Sequence, residues 1–282
     1  VQPDRASRTA ESVAARRAAH QLLDVPPVFA DPIAARLLRS DLAERLRQRP
    51  KSFDRPAGMR YLRAFLAARS RYAEDRLHAA APRGVRQYIL LGAGFDTFAY
   101  RCDLPELRII EVDHPATQAV KRRRLAAAGI NEPANTNYVA ADLAHTPLRD
   151  ALARGGFDPT RPAVIAWLGV LPYLELPAIE GVFAFAATLQ AGSEIVFDYS
   201  QPPETLGWLA RFAYRRLAKR VAALGEPWKT FFLPPALHAL LARHGLTVLE
   251  DLDATAINAR YFARRRDHLR VRGVGRVAAA GT

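Results

Sequence analysis

One stretch constrains this chain more than any other. An apolar run, Tyr88-Ile89-Leu90-Leu91, climbs into Gly92-Ala93-Gly94-Phe95-Asp96-Thr97, and a second apolar run, Ile109-Ile110-Glu111-Val112-Asp113, ends in two carboxylates. Asp113 lies 19 residues past Gly94. The pattern predicts a strand, a tight turn that a ligand approaches closely, and a second strand whose tip carries an acid suited to a ribose diol.

The rest of the chain agrees with that unit. Before Gly84 the texture is helical, with Ser7 or Thr9 capping Glu11–Leu23, Asp31-Pro32 opening Pro32–Leu46, and Met59–Ala81 closed by Pro82-Arg83-Gly84. From Gly84 onward strands and helices alternate. Strands are expected at Gln87–Leu91, Arg108–Val112, Asn137–Ala140, Ala163–Trp167 and Glu194–Asp198, with helices over Pro115–Ala128 and Leu176–Gln190 between them. Strands apolar on both faces, joined by helices, imply an α/β fold with a doubly wound, Rossmann-like parallel sheet. A helical segment, Glu204–Ala223, reads as an insertion after the fifth strand. It is followed by a helix Pro234–His244, a strand Leu246–Leu252 and a final strand within His268–Ala280. The expected organisation is a helical cap (1–83), a cofactor-binding core (84–200), a helical lid (201–233) and a segment completing the sheet (234–282).

The glycine turn discriminates between cofactors. A dinucleotide site needs a third glycine where pyrophosphate meets a helix N-terminus. Thr97 occupies that position and Asp96 precedes it, and a carboxylate there repels phosphate but suits a cationic ligand group. The pattern therefore favours S-adenosylmethionine, which carries an amine, a sulfonium, a ribose diol and an adenine but no phosphate. Asp113 is the expected ribose ligand. Glu111, two residues back on the same side and deeper, is either a second contact or a structural carboxylate. Asp142, after the third strand, accepts from an adenine amine or caps the turn before Pro147, with Leu143 packing on the ring. His114 precedes Pro115 at a helix start and reads as structural.

Composition sets the outer bounds. The chain has 282 residues, half of them apolar, which suffices for a large core. The longest apolar run, Ala163 to Leu174, is too short for a bilayer and contains Pro172, and Val1 to Arg5 show no apolar signal region, so a cytoplasmic protein is expected. The single cysteine, Cys102, fits a reducing compartment. No pair of histidines or cysteines has metal-site spacing. The net charge of +13 invites a nucleic-acid reading. However, arginine supplies nearly all of it, in clusters scattered over the chain, and solvated helix faces explain those clusters better.

The motifs also resemble the leucine carboxyl methyltransferase family, in its bacterial branch of S-adenosylmethionine-dependent O-methyltransferases. The resemblance runs through Arg8-Thr9-Ala10-Glu11 and Ala15-Arg16-Arg17-Ala18, Phe29-Ala30-Asp31-Pro32-Ile33, Ala68-Arg69-Ser70-Arg71-Tyr72, Leu91-Gly92-Ala93-Gly94-Phe95-Asp96-Thr97, Tyr100-Arg101, Glu111-Val112-Asp113-His114-Pro115 with Lys121, Ala141-Asp142-Leu143, Trp167-Leu168-Gly169-Val170-Leu171-Pro172-Tyr173-Leu174, Gly225-Glu226-Pro227-Trp228 and Arg260-Tyr261-Phe262. It implies a class I methyltransferase core in which Gly92, Asp113, Asp142 and Leu143 contact the cofactor; their neighbours Ala93, Gly94, Asp96 and His114, with Leu168 after the fourth strand, complete the expected cofactor-binding set. It also implies that Arg69 or Arg71 binds the cofactor's carboxylate. Leu168 departs from the pattern, since many members carry Glu there.

A carboxylate acceptor needs no base, whereas a phenol or alcohol does. Tyr173, Tyr199 and His145 are the positional candidates. The expected partner is a small-molecule methyl acceptor. Competing readings are a cofactor-binding protein without turnover, an RNA methyltransferase and a nicotinamide oxidoreductase, the last disfavoured by Asp96 and Thr97. No motif specifies the acceptor or the oligomeric state.

Overall fold

The computed structural model describes residues 7–56, 58–143, 146–222 and 227–282. Its centre is a seven-stranded sheet in the order β3-β2-β1-β4-β5-β7-β6. The strands are β1 (Gln87–Leu91), β2 (Arg108–Asp113), β3 (Thr136–Ala140), β4 (Val164–Trp167), β5 (Glu194–Ser200), β6 (Thr247–Leu252) and β7 (Gly275–Gly281). The pairs from β3 to β5 are parallel. Strand β7 inserts antiparallel between β5 and β6. Because β1 is flanked by β2 on one side and β4 on the other, the winding reverses there, and a crevice opens at the carboxyl ends of those strands.

Side-chain alternation divides the core into two layers. Ile89, Leu91, Ile110, Val112, Ile165 and Trp167 face α5 (Leu148–Arg154), α6 (Leu176–Ala186) and α8 (Pro234–Arg243). Tyr88, Leu90, Ile109, Val164, Ala166 and Val196 face α3 (Met59–Ala80) and α9 (Ala254–Tyr261). Helix α1 (Arg8–Leu23) packs with α4 (Pro115–Ala127) around Leu37, Phe95 and Leu125. The Ser7 hydroxyl caps α1, accepting from Ala10 N–H at 3.0 Å. Among the described residues no helix is long and apolar enough to cross a membrane.

Several boundaries differ from the sequence expectation. Pro32–Leu46 is not one helix: a short 3-10 turn, Ala34–Leu37, precedes α2 (Ser40–Gln48). Leu38 and Arg39 between them are extended, with ψ near 150°. That break lets Ala34 and Leu37 bury fully while α2 carries charge to the surface. Helix α7 (Trp208–Ala222) starts later than expected, because Pro202 and Pro203 open a 3-10 turn, Pro203–Thr205, and Leu206 after it is extended. The last strand begins at Gly275 rather than His268. Leu269 and Val271 serve instead as packing under α9, where the Asn258 side chain donates to the Val271 carbonyl (3.0 Å) and accepts from its N–H (2.7 Å). Helices α5 and α9 are additional to the sequence-derived elements, α9 being capped by Asp253.

A buried histidine joins α1 to the loop after it. Fully buried His20 accepts from Val28 N–H at 2.9 Å and Phe29 N–H at 3.3 Å through Nε2, which leaves Nδ1 as the donor to Asp24 at 2.6 Å. A ring that accepts on one nitrogen cannot be an imidazolium. Asp24 therefore finds its cation in Arg63. Burial, with Arg63 and Arg265 nearby, pushes His20 down to about 3. The unfolded chain binds the proton first, so stability is complete above pH 6.5 and falls as pH drops towards 3. The expected slope is on the order of 1 kcal/mol per pH unit across that window. Thermal melts of the wild type and His20→Gln between pH 7 and pH 4 check this, the variant being expected to lose that part of the slope.

Candidate active site

The crevice at the β1–β4 reversal is a cavity of about 420 Å³, within the usual range of ligand pockets. Its floor is the glycine turn. Gly92 and Gly94 sit at φ +67° and +53°, in the left-handed region. The chain is also crowded there: a Cβ on Gly92 would run into Val170, and one on Gly94 would meet Ala10 at 3.2 Å. Both glycines are thus required by backbone hand and by the close approach of Val170 and Ala10, whatever occupies the cavity. The turn leads into a single 3-10 turn, Phe98–Tyr100, and not into an α-helix. The helix N-terminus that would hold a pyrophosphate is missing at this position.

Asp113 ends β2 and faces the cavity. Its carboxylate accepts from Gly94 N–H and, at 2.6 Å, from His114 N–H. Burial raises its pKa, an effect that these two amides and Lys121 partly offset. Two amides leave lone pairs free for a ligand diol. Glu111 lies deeper and is committed to the protein: it is buried and pairs with the equally buried Lys121 at 2.5 Å. His114 lines the cavity and caps α4, its Nδ1 accepting from Ala116 N–H. Asp142 and Leu143 reach the same cavity from the end of β3, and Leu168 from the end of β4.

Asp96 also lines the cavity, but it is less free than the sequence suggests. Its Oδ1 accepts from Phe98 N–H at 2.7 Å, and Arg17 Nη1 lies 3.7 Å from its Oδ2. Burial pushes its carboxyl up, yet Arg17, Lys121 and Arg101 outweigh burial and hold it below the usual carboxylate range. Its negative charge is therefore answered largely by the protein's own cations. Arg17, which lies in the family-like stretch Ala15-Arg16-Arg17-Ala18, is the main cavity residue to which the sequence assigns no role. It reaches from α1 to pair with Asp31 (3.0 Å), to donate to the Phe95 carbonyl (2.5 Å) and to line the cavity.

The two candidate arginines separate. Arg69 is buried on the cavity wall, where Nη1 pairs with Asp198 Oδ2 at 2.7 Å. Asp198 Oδ1 accepts from Gly169 N–H at 2.5 Å, which ties α3, β5 and the loop after β4 together. Arg71 is half-exposed, pairs with Asp75 at 2.6 Å and lines a separate shallow groove with Glu74 and His78. Residues two apart on a helix do not share a face, so only one of them can reach the crevice.

The candidate bases separate too. Tyr173 lines the cavity from the 3-10 turn Leu171–Tyr173. Tyr199 does not: it is buried behind β5, where its hydroxyl donates to Asp251 at 2.7 Å beside Arg276. Burial and Asp251 push its pKa well up, which opposes a role as base. His145 lies outside the described residues. The roof comes from 227–232, docked by Lys229 N–H on the Pro172 carbonyl (2.7 Å) and Thr230 Oγ1 on the Leu174 carbonyl (2.6 Å). Pro227 and Lys229 line the cavity from that side. Among the described residues, no group of three potential ligands could hold a metal ion.

A strand order with an antiparallel seventh strand, and a glycine turn at the winding reversal facing an acid-tipped second strand, make this the fold of the class I methyltransferases. The chain belongs to the leucine carboxyl methyltransferase family, whose model matches residues 10–187. It is 33% identical over 281 residues, covering 90% of either chain, to a Bacillus subtilis protein named "Putative S-adenosyl-L-methionine-dependent methyltransferase YktD". In fold it is similar to a "putative methyltransferase" of Thermobifida fusca (TM-score 0.57, 18% identity, 100% of this chain and 96% of that one). It is also similar to a DUF574-family protein of Streptomyces avermitilis (TM-score 0.55, 22% identity, 85% and 90% covered).

Gly169 sets the position of Arg69. It lies at φ +71°, and a Cβ there would stand 2.6 Å from Arg69 Nη2, with Asp198 holding the guanidinium in place. Gly169→Ala is expected to cost about 1–2 kcal/mol of stability from the left-handed backbone alone. It should also weaken S-adenosylhomocysteine binding by displacing Arg69. Denaturant titration and calorimetry read the two effects separately, and unchanged binding would count against Arg69 as a ligand group.

Proposed function

We propose that this chain transfers a methyl group from S-adenosylmethionine to an oxygen, carboxylate or hydroxyl, of a small molecule such as a natural-product intermediate. The observation that carries this reading is a single cavity gathering the glycine turn, Asp113, the Asp142-Leu143 pair and Arg69 beneath the 227–232 roof. The lining fits that cofactor. Asp113 offers lone pairs to a ribose diol, Asp142 and Leu143 suit an adenine edge and face, and Arg69 is the cation at hand for a carboxylate. The turn lacks the features a pyrophosphate requires.

The cofactor supplies an electrophilic methyl on a sulfonium. The protein's task is then to align an acceptor oxygen and exclude water. The roof, pinned to Pro172 and Leu174, covers one side of the cavity. Leu168, Val170 and Leu174 give its walls an apolar character. An acceptor carboxylate is already ionised at neutral pH and needs no proton removed. For a hydroxyl acceptor, Tyr173 is the candidate within reach of the cavity. A cytoplasmic setting accords with the lone Cys102.

A second reading, cofactor binding without turnover, draws on Leu168, an apolar cavity residue at the position where the family resemblance implies Glu. The two readings part on one experiment. Release of S-adenosylhomocysteine is followed while the protein is offered small carboxylic acids and phenols, and binding of the same product is measured by calorimetry. Binding with turnover of at least one acid or phenol supports methyl transfer; binding with no turnover across the panel favours the second reading. Asp113→Ala is expected to weaken binding at least about tenfold, on the order of 1.4 kcal/mol, through loss of a charged hydrogen-bond acceptor.

A further inference from the structure

Helix α7 (Trp208–Ala222) presents an outer face that nothing else in the fold explains. Trp208 is 76% exposed and Phe212, one turn on, is 61% exposed. Arg215, Arg216 and Lys219 are exposed as well. At helical spacing these five side chains fall on one stripe. Helix α7 contains no acidic residue anywhere along its length. The stripe therefore carries two large aromatic side chains and three positive charges, with no carboxylate of its own element to neutralise them.

We propose that the α7 outer face is a docking surface for an anionic phospholipid bilayer. Trp and Phe beside Lys and Arg is the composition of a helix lying in the membrane interface, where the rings enter the headgroup–acyl boundary and the basic heads meet lipid phosphates. Charge complementarity selects the partner, because the chain's net charge of +13 draws it towards a negative surface and the stripe places charge around the rings. The shape favours a bilayer over single-stranded RNA. Bases stack on aromatics set in a groove, whereas Trp208 and Phe212 stand on the convex ridge of a helix. The inner side of the element has its own anchors: Arg211 donates to the Glu204 and Leu206 carbonyls, and Tyr214 packs on Trp228 at 5.1 Å between ring centres. Docking would thus bring the bilayer against the layer that continues into the cavity roof. The proposal concerns this face alone and stands whether or not the cavity performs methyl transfer.

The test is flotation of the full chain with phosphatidylcholine vesicles, with and without phosphatidylglycerol, together with tryptophan emission. Binding is expected only with phosphatidylglycerol, accompanied by a blue shift and by quenching from brominated acyl chains. The paired change Trp208→Ser and Phe212→Ser should weaken binding at least tenfold, as should the triple change of Arg215, Arg216 and Lys219 to Gln. The quenching needs no variant and so stands even if a variant misfolds. Binding undiminished by the aromatic pair, or no quenching, overturns the proposal. So does a dimer in sedimentation equilibrium that dissolves with the aromatic pair, or an RNA complex that depends on the same residues and forms more tightly than the vesicle complex.

Discussion

A buried ionic web holds the glycine turn against the first helix, and the cavity depends on it. Arg17 of α1 pairs with Asp31 at 3.0 Å and grips the Phe95 carbonyl at 2.5 Å. Asp31 accepts from Thr97 at 2.7 Å, and Arg101 bonds Thr97 at 3.0 Å and Glu74 at 2.6 Å. Charges removed from water to this degree are tolerable only as a complete set. Removing one member leaves its partner stranded, at a typical cost of about 3–5 kcal/mol. The web spans three elements that the chain makes far apart in order, so it closes only when the N-terminal helices are seated on the sheet.

Much of the fold is legible in the sequence because parallel strands buried on both faces are continuous apolar runs. Gln87–Leu91 and Val164–Trp167 stand out for that reason. The N-terminal helices are harder to bound. Pro32–Leu46 carries helical periodicity throughout, and only the burial of Ala34 and Leu37 under α1 dictates the break at Leu38. Residues 268–274 alternate like a strand, yet the Asn258 amide captures both backbone groups of Val271 and keeps them out of the sheet.

The site divides along the same line. Positions set by strand ends, such as Asp113 and Asp142, can be placed from spacing alone, since a strand tip has one location, whereas Leu168 is marked only by the family resemblance. Positions on helices need a rotational register that spacing does not supply. Arg69 and Arg71 are interchangeable in a sequence but oppose one another on α3, and Arg17 is one of several similar arginines until α1 is docked. Tyr199 misleads for a different reason. It lies at a strand end, but pleating turns it to the side where Asp251 and Arg276 wait.

The insertion of β7 between β5 and β6 bears on how the polypeptide matures. During synthesis, β5 leaves the ribosome with one flank bare, and β6 has no neighbour to join until residues 275–281 are made. Asp198, which steadies Arg69, sits on that bare strand. A nascent chain therefore carries an adhesive strand edge from the completion of β5 at Ser200 until β7 begins at Gly275. The crevice gains its rigid wall only when the last strand slots home, which ties competence to bind a ligand to completion of that final pairing.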